Sequence, residues 1–458
     1  MSNIIYQIFE NYIIDVMGFL SSNKIRKLEE LESELKKKSD SLNAQLISTY
    51  CEIIDEAIFK DRAGREKKGY VAEHKGDKRE IYTQFGNASF SRRYYRNKAD
   101  GTYSYLVDAV MGIESYDRVS NTVSATLVET ASEVSYAKSS DYVCNGDISR
   151  QTVMNKIRRT KGLKTEAPEQ KRRVRYLHVE ADEDHVSLQD GTDTIVPLIS
   201  IHEGIEGNGK RRKCVNIHHI GGFGKKVEDI WQEAAEWIYS VYDAEEIEVI
   251  YLHGDGAAWI KTGLSYLPKA QFVLDRYHLN KALKEISGGD ELVYVRLREA
   301  VNKADRESIR KICGELRKNA CDEKTRKKVN SFMNYITKNW SGIAVYQDEF
   351  SRGSNTEGHI SHVLSSRLSS RPAGWSREGL RAMVELRVYC CNGGHVEAKH
   401  IRKSKDSYKV TKKVLSKATK VYKDASRELI HNITLLNSGK VTLLTRTLRF
   451  IRDNGFAI

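Results

Sequence analysis

Apolar positions along this chain change period, and each change predicts a different kind of element. From Asn3 to about Lys60 charged residues are interleaved with Ile25, Leu28, Leu31, Leu35, Leu42 and Leu46, a helical spacing that predicts an arm or a dimerisation helix pair. Two alternating runs follow, Arg79 to Phe85 and Ala88 to Tyr95, and the Gly86-Asn87 step between them predicts a β-hairpin joined there. The second run carries Arg92, Arg93 and Arg96 beside Tyr94 and Tyr95, suited either to gripping a phosphate backbone or to lying as a solvated strand face. Helical spacing returns around Val119 to Val134. A short helix from Ser135, a turn at Asn145-Gly146 and a second helix capped by Ser149 then give a helix-turn-helix outline. In that motif the second helix would present Arg150, Gln151, Asn155 and Arg158 to DNA; the same outline also occurs in helix pairs that never touch it.

From Val174 to Leu283 strands and helices alternate. Strands are predicted at Tyr176 to Asp182, Thr194 to Ile201, Cys214 to His219, Glu248 to Leu252 and Gln271 to Leu274, with helices at Val227 to Val241 and near Ala257 to Tyr266. Three meandering strands, a helix, then strand-helix-strand is the order of a ribonuclease-H-like α/β fold, whereas a doubly wound nucleotide-binding domain opens with strand-helix alternation. Between Leu279 and Phe350 the pattern is wholly helical, with Ile309, Ile312, Cys313 and Leu316, then Val329, Phe332, Met333 and Ile336, marking core-facing stripes. The expected organisation is a helical arm (1–70), a hairpin plus helix-turn-helix DNA-binding region (71–170) and a catalytic core (171–283 and 351–392). An all-α insertion (284–350) interrupts the core, the basic run Lys171 to Arg175 marks its start, and a basic helical tail (393–458) follows.

Charge narrows the partners. In 458 residues, 75 Lys and Arg stand against 62 Asp and Glu, a net charge of +13, which suggests a polyanionic partner without identifying one; the acids considered below make double-stranded DNA the expected partner. The 7 cysteines are scattered without a CxxC pair, the pattern of reduced thiols in a cytoplasmic protein rather than a disulfide framework or zinc finger. The apolar N-terminus is broken by Glu10 and Asp15, so an amphipathic helix is expected there and no membrane association. Gly204 to Lys210 matches P-loop spacing, but Arg211 stands where the magnesium-binding Ser or Thr belongs, so no nucleotide cofactor is expected.

Three acids on different elements stand out against this basic background. Alternation puts Glu180, Asp182 and Asp184 on one strand face, a costly like-charge cluster unless a cation sits there; the alternative is an exposed hairpin end. Asp255, in His253-Gly-Asp-Gly256, closes an apolar strand at the carboxyl edge of the sheet, where open α/β sheets place their sites, unless it merely caps the next helix. Glu357 opens a helix after the insertion, and Ser354-x-x-Glu357 also reads as a capping box. Three carboxylates suit Mg²⁺, with Mn²⁺ as a substitute, for in-line phosphoryl transfer, whereas Cys and His would favour zinc. Asp182 and Asp184 compete as first acid, and Glu349 competes with Glu357.

On the segments Val179 to Val186, His253 to Ile260, Asp275-Arg-Tyr-His-Leu279 and Asn355 to Pro372, the chain resembles bacterial DDE transposases of the ISLre-two insertion-sequence family, distant relatives of the Mutator-like superfamily. The resemblance implies that Asp182, Asp255 and Glu357 are the catalytic, metal-binding triad, with an α-helical insertion before the last of them. It implies a DNA-contacting role for His278, in the (C/D)-x-x-H signature Asp275-x-x-His278, and for Trp340, by stacking on an unpaired end base; ordinary helix-start and core roles are the alternatives. The expected function is a nucleoid-associated transposase, dimeric or higher, that binds terminal inverted repeats and performs Mg²⁺-dependent cleavage and strand transfer. Two rivals are a nuclease of the same fold without strand transfer and a catalytically inactive DNA-binding regulator.

Overall fold

The computed structural model describes residues 2–22, 26–207, 212–351, 354–371, 373–401, 408–432 and 446. It comprises two compact units, residues 1–126 with 397–458, and residues 127–396. Boundaries expected near 70 and 170 do not coincide with this division: the hairpin belongs to the first unit and the helix pair after Ser135 to the second.

In the first unit, helices Ser2–Leu20, Leu28–Lys60 and Lys412–Asn432 accompany an antiparallel sheet of β1 (Tyr70–Thr83), β2 (Gly86–Asn97) and the short β3 (Tyr103–Ser104). Ile53, Ile54 and Ile58 of the long helix pack with Phe90 and Tyr95 of β2 and with Val414 and Ala418 of the last helix. The hairpin turns two residues earlier than expected. Thr83 pairs with Gly86, so Gln84-Phe85 is the loop, closed by the Thr83 hydroxyl, which accepts from Phe85 N–H (3.2 Å) and donates to the Gly86 carbonyl (2.8 Å). Nor do Arg92 and Arg93 reach for phosphate. Arg92 is buried against Asp108, and Arg93 against Asp55 (2.6 Å) and Glu56, because an uncompensated guanidinium at that depth would be costly. The basic run Ile401 to Lys405 falls largely outside the described residues.

The second unit is built on a mixed five-stranded sheet. Its strands are β4 (Tyr176–Ser187), β5 (Asp193–His202), β8 (His218–Gly221), β9 (Val249–Gly254) and β10 (Ala270–Leu274); a separate small ladder pairs β6 (Ile205–Glu206) with β7 (Lys213–Cys214). The order is β10-β9-β4-β5-β8, antiparallel among β4, β5 and β8 and parallel from β4 through β9 to β10. The expected strand Cys214 to His219 is split in two, because Asn216 takes a left-handed φ of 52° and turns the chain. Residues 208–211, the end of the Gly204 to Lys210 glycine-rich run and Arg211, lie outside the described residues.

Helix Val227–Val241 lays Ile230, Trp231, Ala234, Ile238 and Val241 on the sheet. Four further helices, Arg276–Ser287, Glu291–Asn302, Arg306–Asn319 and Glu323–Lys338, each start on an aspartate N-cap: Asp275, Asp290, Asp305 and Asp322. Their stripes, including Leu297, Ile309, Ile312, Val329 and Phe332, join the hydrophobic cluster of the sheet itself. The helical segment between β10 and Glu357 is thus an extension of one core. Beyond it, Ile360–Ser365 winds as a π-helix, and buried Arg387 of helix Arg377–Cys391 donates to the carbonyls of Val363 (2.9 Å), His362 (2.5 Å) and Ser132 (3.2 Å). No helix among the described residues is long and apolar enough to cross a membrane.

Candidate metal centre

Strand register lines up the acids. In the parallel ladders Glu180 faces His253 and Leu274 faces Gly254; continuing both registers past the last pair sets Asp255 beside Asp182 and Asp275 beside Asp255. Asp255 and Asp275 thus follow directly on the apolar strands β9 and β10, level with Asp182 inside the longer β4, so three aspartates share one edge.

Onto this edge fold two residues from beyond the sheet. Carboxylate oxygens of Asp182 and Glu357 and a ring nitrogen of His278 all lie within 4.8 Å of one another, a grouping able to hold a metal ion. Asp182 is half-buried, and burial together with the charges of Asp255 and Asp275 pushes its carboxyl up to about 6, although the Glu183 N–H (2.9 Å) and His278 favour its ionised form. Asp275 is 2 % exposed and accepts from the backbone of Tyr277 (3.0 Å) and His278 (3.1 Å) while holding His278 Nδ1 at 3.0 Å, which leaves the other ring nitrogen to Asp182 and Glu357. That hydrogen bond raises the imidazole above its ordinary value. The second Asp275 oxygen meets the Ser354 and Thr356 hydroxyls at 3.4 Å, so one carboxylate touches both the His278 helix and the loop that carries Glu357.

The structure places the residues behind three alternatives raised by the sequence. Ser354 turns to Asp275, and helix Thr356–His359 begins without a side-chain cap, so no capping box forms and Glu357 stands exposed. Asp184 is buried and bound by the hydroxyls of Ser365 (3.0 Å) and Ser369 (2.9 Å), whereas Asp182 faces the cluster. Glu349 lies outside the grouping, in a short 3₁₀ turn. Asp255 also lies outside it: one oxygen accepts from Ala257 N–H (2.8 Å) in an Asx turn, while its charge acts on both Asp182 and His278. His278, expected to contact DNA, thus takes the place in the grouping expected for Asp255.

Beneath the edge lies a polar network that sequence reasoning missed. Glu180, 1 % exposed, accepts from His202 Nε2 (2.9 Å), from the Asn355 backbone N–H (2.8 Å) and from His359 Nδ1 (2.7 Å). Burial opposes its ionisation, but the two histidine bonds prevail and hold it below the usual carboxylate range. His359, against the pull of burial, is raised to about 9 by Cys214 (Sγ 3.5 Å from Nε2) and Glu180. His178 and His253 share a hydrogen bond (3.0 Å), and burial keeps them neutral, at about 3 and about 4. The signal available was the recurrence of His and Glu inside strands that otherwise read as fully buried.

Of the expected DNA-contacting residues, Arg150 and Gln151 are exposed on helix Arg150–Arg159, and Asn155 accepts from Gln151 (3.3 Å). Arg158 is held inside the unit by Ser376 (2.8 Å) and Glu378 (3.5 Å), at the start of helix Arg377–Cys391. Trp340 is half-buried against the core cluster with the Arg306 guanidinium 5.6 Å from its ring centroid.

Residues 21–405 match the uncharacterised protein family UPF0236. Two UPF0236 proteins of Caldanaerobacter subterraneus subsp. tengcongensis are 41% and 42% identical over 450 residues, covering 97% of this chain and 96% of each relative; the printed name of the second spans eleven loci of that genome. A UPF0236 protein encoded in the vanSb 3′ region of Streptococcus gallolyticus is 23% identical over 387 residues, 80% of this chain and 84% of its own length. With a match across most of its length and relatives aligned nearly end to end, the chain belongs to the UPF0236 family.

Proposed function

We propose that this protein is a DDE-type transposase whose second unit is a ribonuclease-H-like core acting on DNA by metal-assisted phosphoryl transfer. The observation that carries the reading is the meeting of Asp182, Glu357 and His278, remote in sequence, at the carboxyl edge of a sheet with three antiparallel strands followed by two parallel ones. The presence of UPF0236 relatives at many loci of one genome suits a mobile element, and the +13 charge suits a DNA partner.

The donor set fits a divalent cation of the Mg²⁺ class. Two carboxylates converge beside an imidazole, and the Asp182 carboxyl, raised first by burial and then by the charges of Asp255 and Asp275, carries an ionisation cost that a cation relieves. Asp182 and Glu357 would hold it, with the charge of Asp255 acting on Asp182 from the neighbouring strand end. When bound, Mg²⁺ supplies activation of the attacking water or 3′-hydroxyl and neutralisation of the leaving oxygen. His278, oriented through Nδ1 by Asp275, would present its other nitrogen to the scissile phosphate. Exposed Arg150 and Gln151 would contact the element ends, and half-buried Trp340 an unpaired base, in a homodimer or larger assembly.

The test is cleavage and joining of labelled element ends with supercoiled plasmid as target. Asp182→Asn, Asp255→Asn and Glu357→Gln are each expected to lower cleavage to below about one hundredth while end binding survives. Undiminished cleavage by all three single variants would refute the assignment; cleavage without joining would leave a nuclease.

A further inference from the structure

Strand β4 carries Glu180, Asp182 and Asp184 on one face, yet only Asp182 belongs to the metal grouping. The other two are engaged with the segment that carries Glu357. Glu180 receives a backbone N–H from Asn355 and the Nδ1–H of His359, which bracket Glu357 two residues away on either side. Asp184 receives the Ser365 and Ser369 hydroxyls farther along the same segment. His202 Nε2 completes the Glu180 site from β5, and Asn355, His359 and His202 together engage both carboxylate oxygens.

We infer that Glu180 and His359 form a positioning clamp that sets the Asp182-to-Glu357 spacing, and so the affinity of the centre for a divalent ion. This rests on the metal-site reading above. Physically, Glu357 sits on the four-residue helix Thr356–His359, which has no side-chain cap, leads into a π-helical turn and does not hold its own place. Glu180 ties both flanks of that turn to the strand that bears Asp182, so movement of Glu357 relative to Asp182 requires breaking a buried, charge-assisted hydrogen bond. Neither clamp residue is in the grouping that would hold the ion. Their action is therefore indirect, like that of residues that orient metal ligands without touching the metal.

The clamp is tested on the full-length chain with MnCl₂ as probe. Free Mn²⁺ is followed by electron paramagnetic resonance at pH 7.5, and thermal melting is recorded without metal. His359→Ala is expected to weaken Mn²⁺ binding by about 10- to 100-fold. His359→Asn, whose side-chain amide N–H stands in for Nδ1–H while equally lacking Nε2, is expected to bind close to wild type. Glu180→Gln leaves one acceptor oxygen for three donors and is expected to behave like His359→Ala; it carries the test if His359→Ala melts below the assay temperature.

If the Ala and Gln variants bind Mn²⁺ as tightly as wild type, with only their melting lowered, the clamp is refuted and the metal centre stands. Equal weakening by His359→Ala and His359→Asn also refutes it, since the donor would then be irrelevant. If Asp182→Asn binds Mn²⁺ as wild type does, the metal reading itself fails and the clamp falls with it.

Discussion

Removing the charge at Asp182 is expected to stabilise the metal-free protein while destroying its site. The Asp182 carboxyl is carried from an ordinary 3.8 to about 6, first by burial and then by Asp255 and Asp275. A displacement of that size corresponds to about 3 kcal/mol of preference for the neutral form. Because Asp182 is only half-buried, solvent screening reduces the part felt as stability to roughly 1–2 kcal/mol. The sign follows from proton counting. Between pH 3.8 and about 6 the folded chain holds a proton at Asp182 that the unfolded chain has released, so stability falls as pH rises through that window. Above it the penalty is complete. Asp182→Asn, neutral at every pH, is therefore expected to melt higher than wild type at pH 7.5, at about 2–4 °C per kcal/mol for a unit of this size. The difference should vanish by pH 4. Calorimetry in EDTA at both pH values is the assay, repeated with Mg²⁺, which should raise the wild type and leave the variant unmoved. A variant no more stable at pH 7.5, or equally favoured at pH 4, would refute the claim that burying the Asp182 charge beside Asp255 and Asp275 strains this edge.

Arg387→Leu should cost about 3–5 kcal/mol in urea unfolding, because the carbonyls of Val363, His362 and Ser132 lose a buried cationic donor; a cost below about 1 kcal/mol would mean that water replaces it. Gly256→Ala should reduce Mn²⁺ binding, since φ is +94° and a Cβ there meets the Asn339 side chain, displacing the turn after Asp255; unchanged binding would place Asp255 outside the site. Arg150→Ala should weaken element-end binding by about 1–3 kcal/mol in gel-shift assays, whereas Arg158→Ala should chiefly lower the melting temperature, being held by Ser376; the reverse pattern would refute this reading of the helix pair.

Much of the second unit was legible because local pattern and final environment agree. Helix Val227–Val241 begins and ends where its spacing predicts, and four of the five sheet strands, β4, β5, β9 and β10, begin within one residue of the predicted positions, because each is buried in a layer its own periodicity describes; β8 is the exception. The wholly helical stretch after β10 was likewise readable, its four longest helices opening on aspartate caps. The hairpin was readable as an element but not in its turn, which a hydroxyl two residues from Phe85 decided.

By itself the sequence determined most element types, the positive charge and the acids carried on β4 and just past β9 and β10. Only the tertiary structure decided which acids meet. Asp182, Asp184 and Glu180 are equivalent by alternation; what separates them is the segment 354–369 folded across β4, which takes Asp184 and Glu180 into its own hydrogen bonds and leaves Asp182 facing Glu357. Periodicity tells which side of a strand a residue faces. It carries no information about the remote partners that burial then obliges each polar group to find.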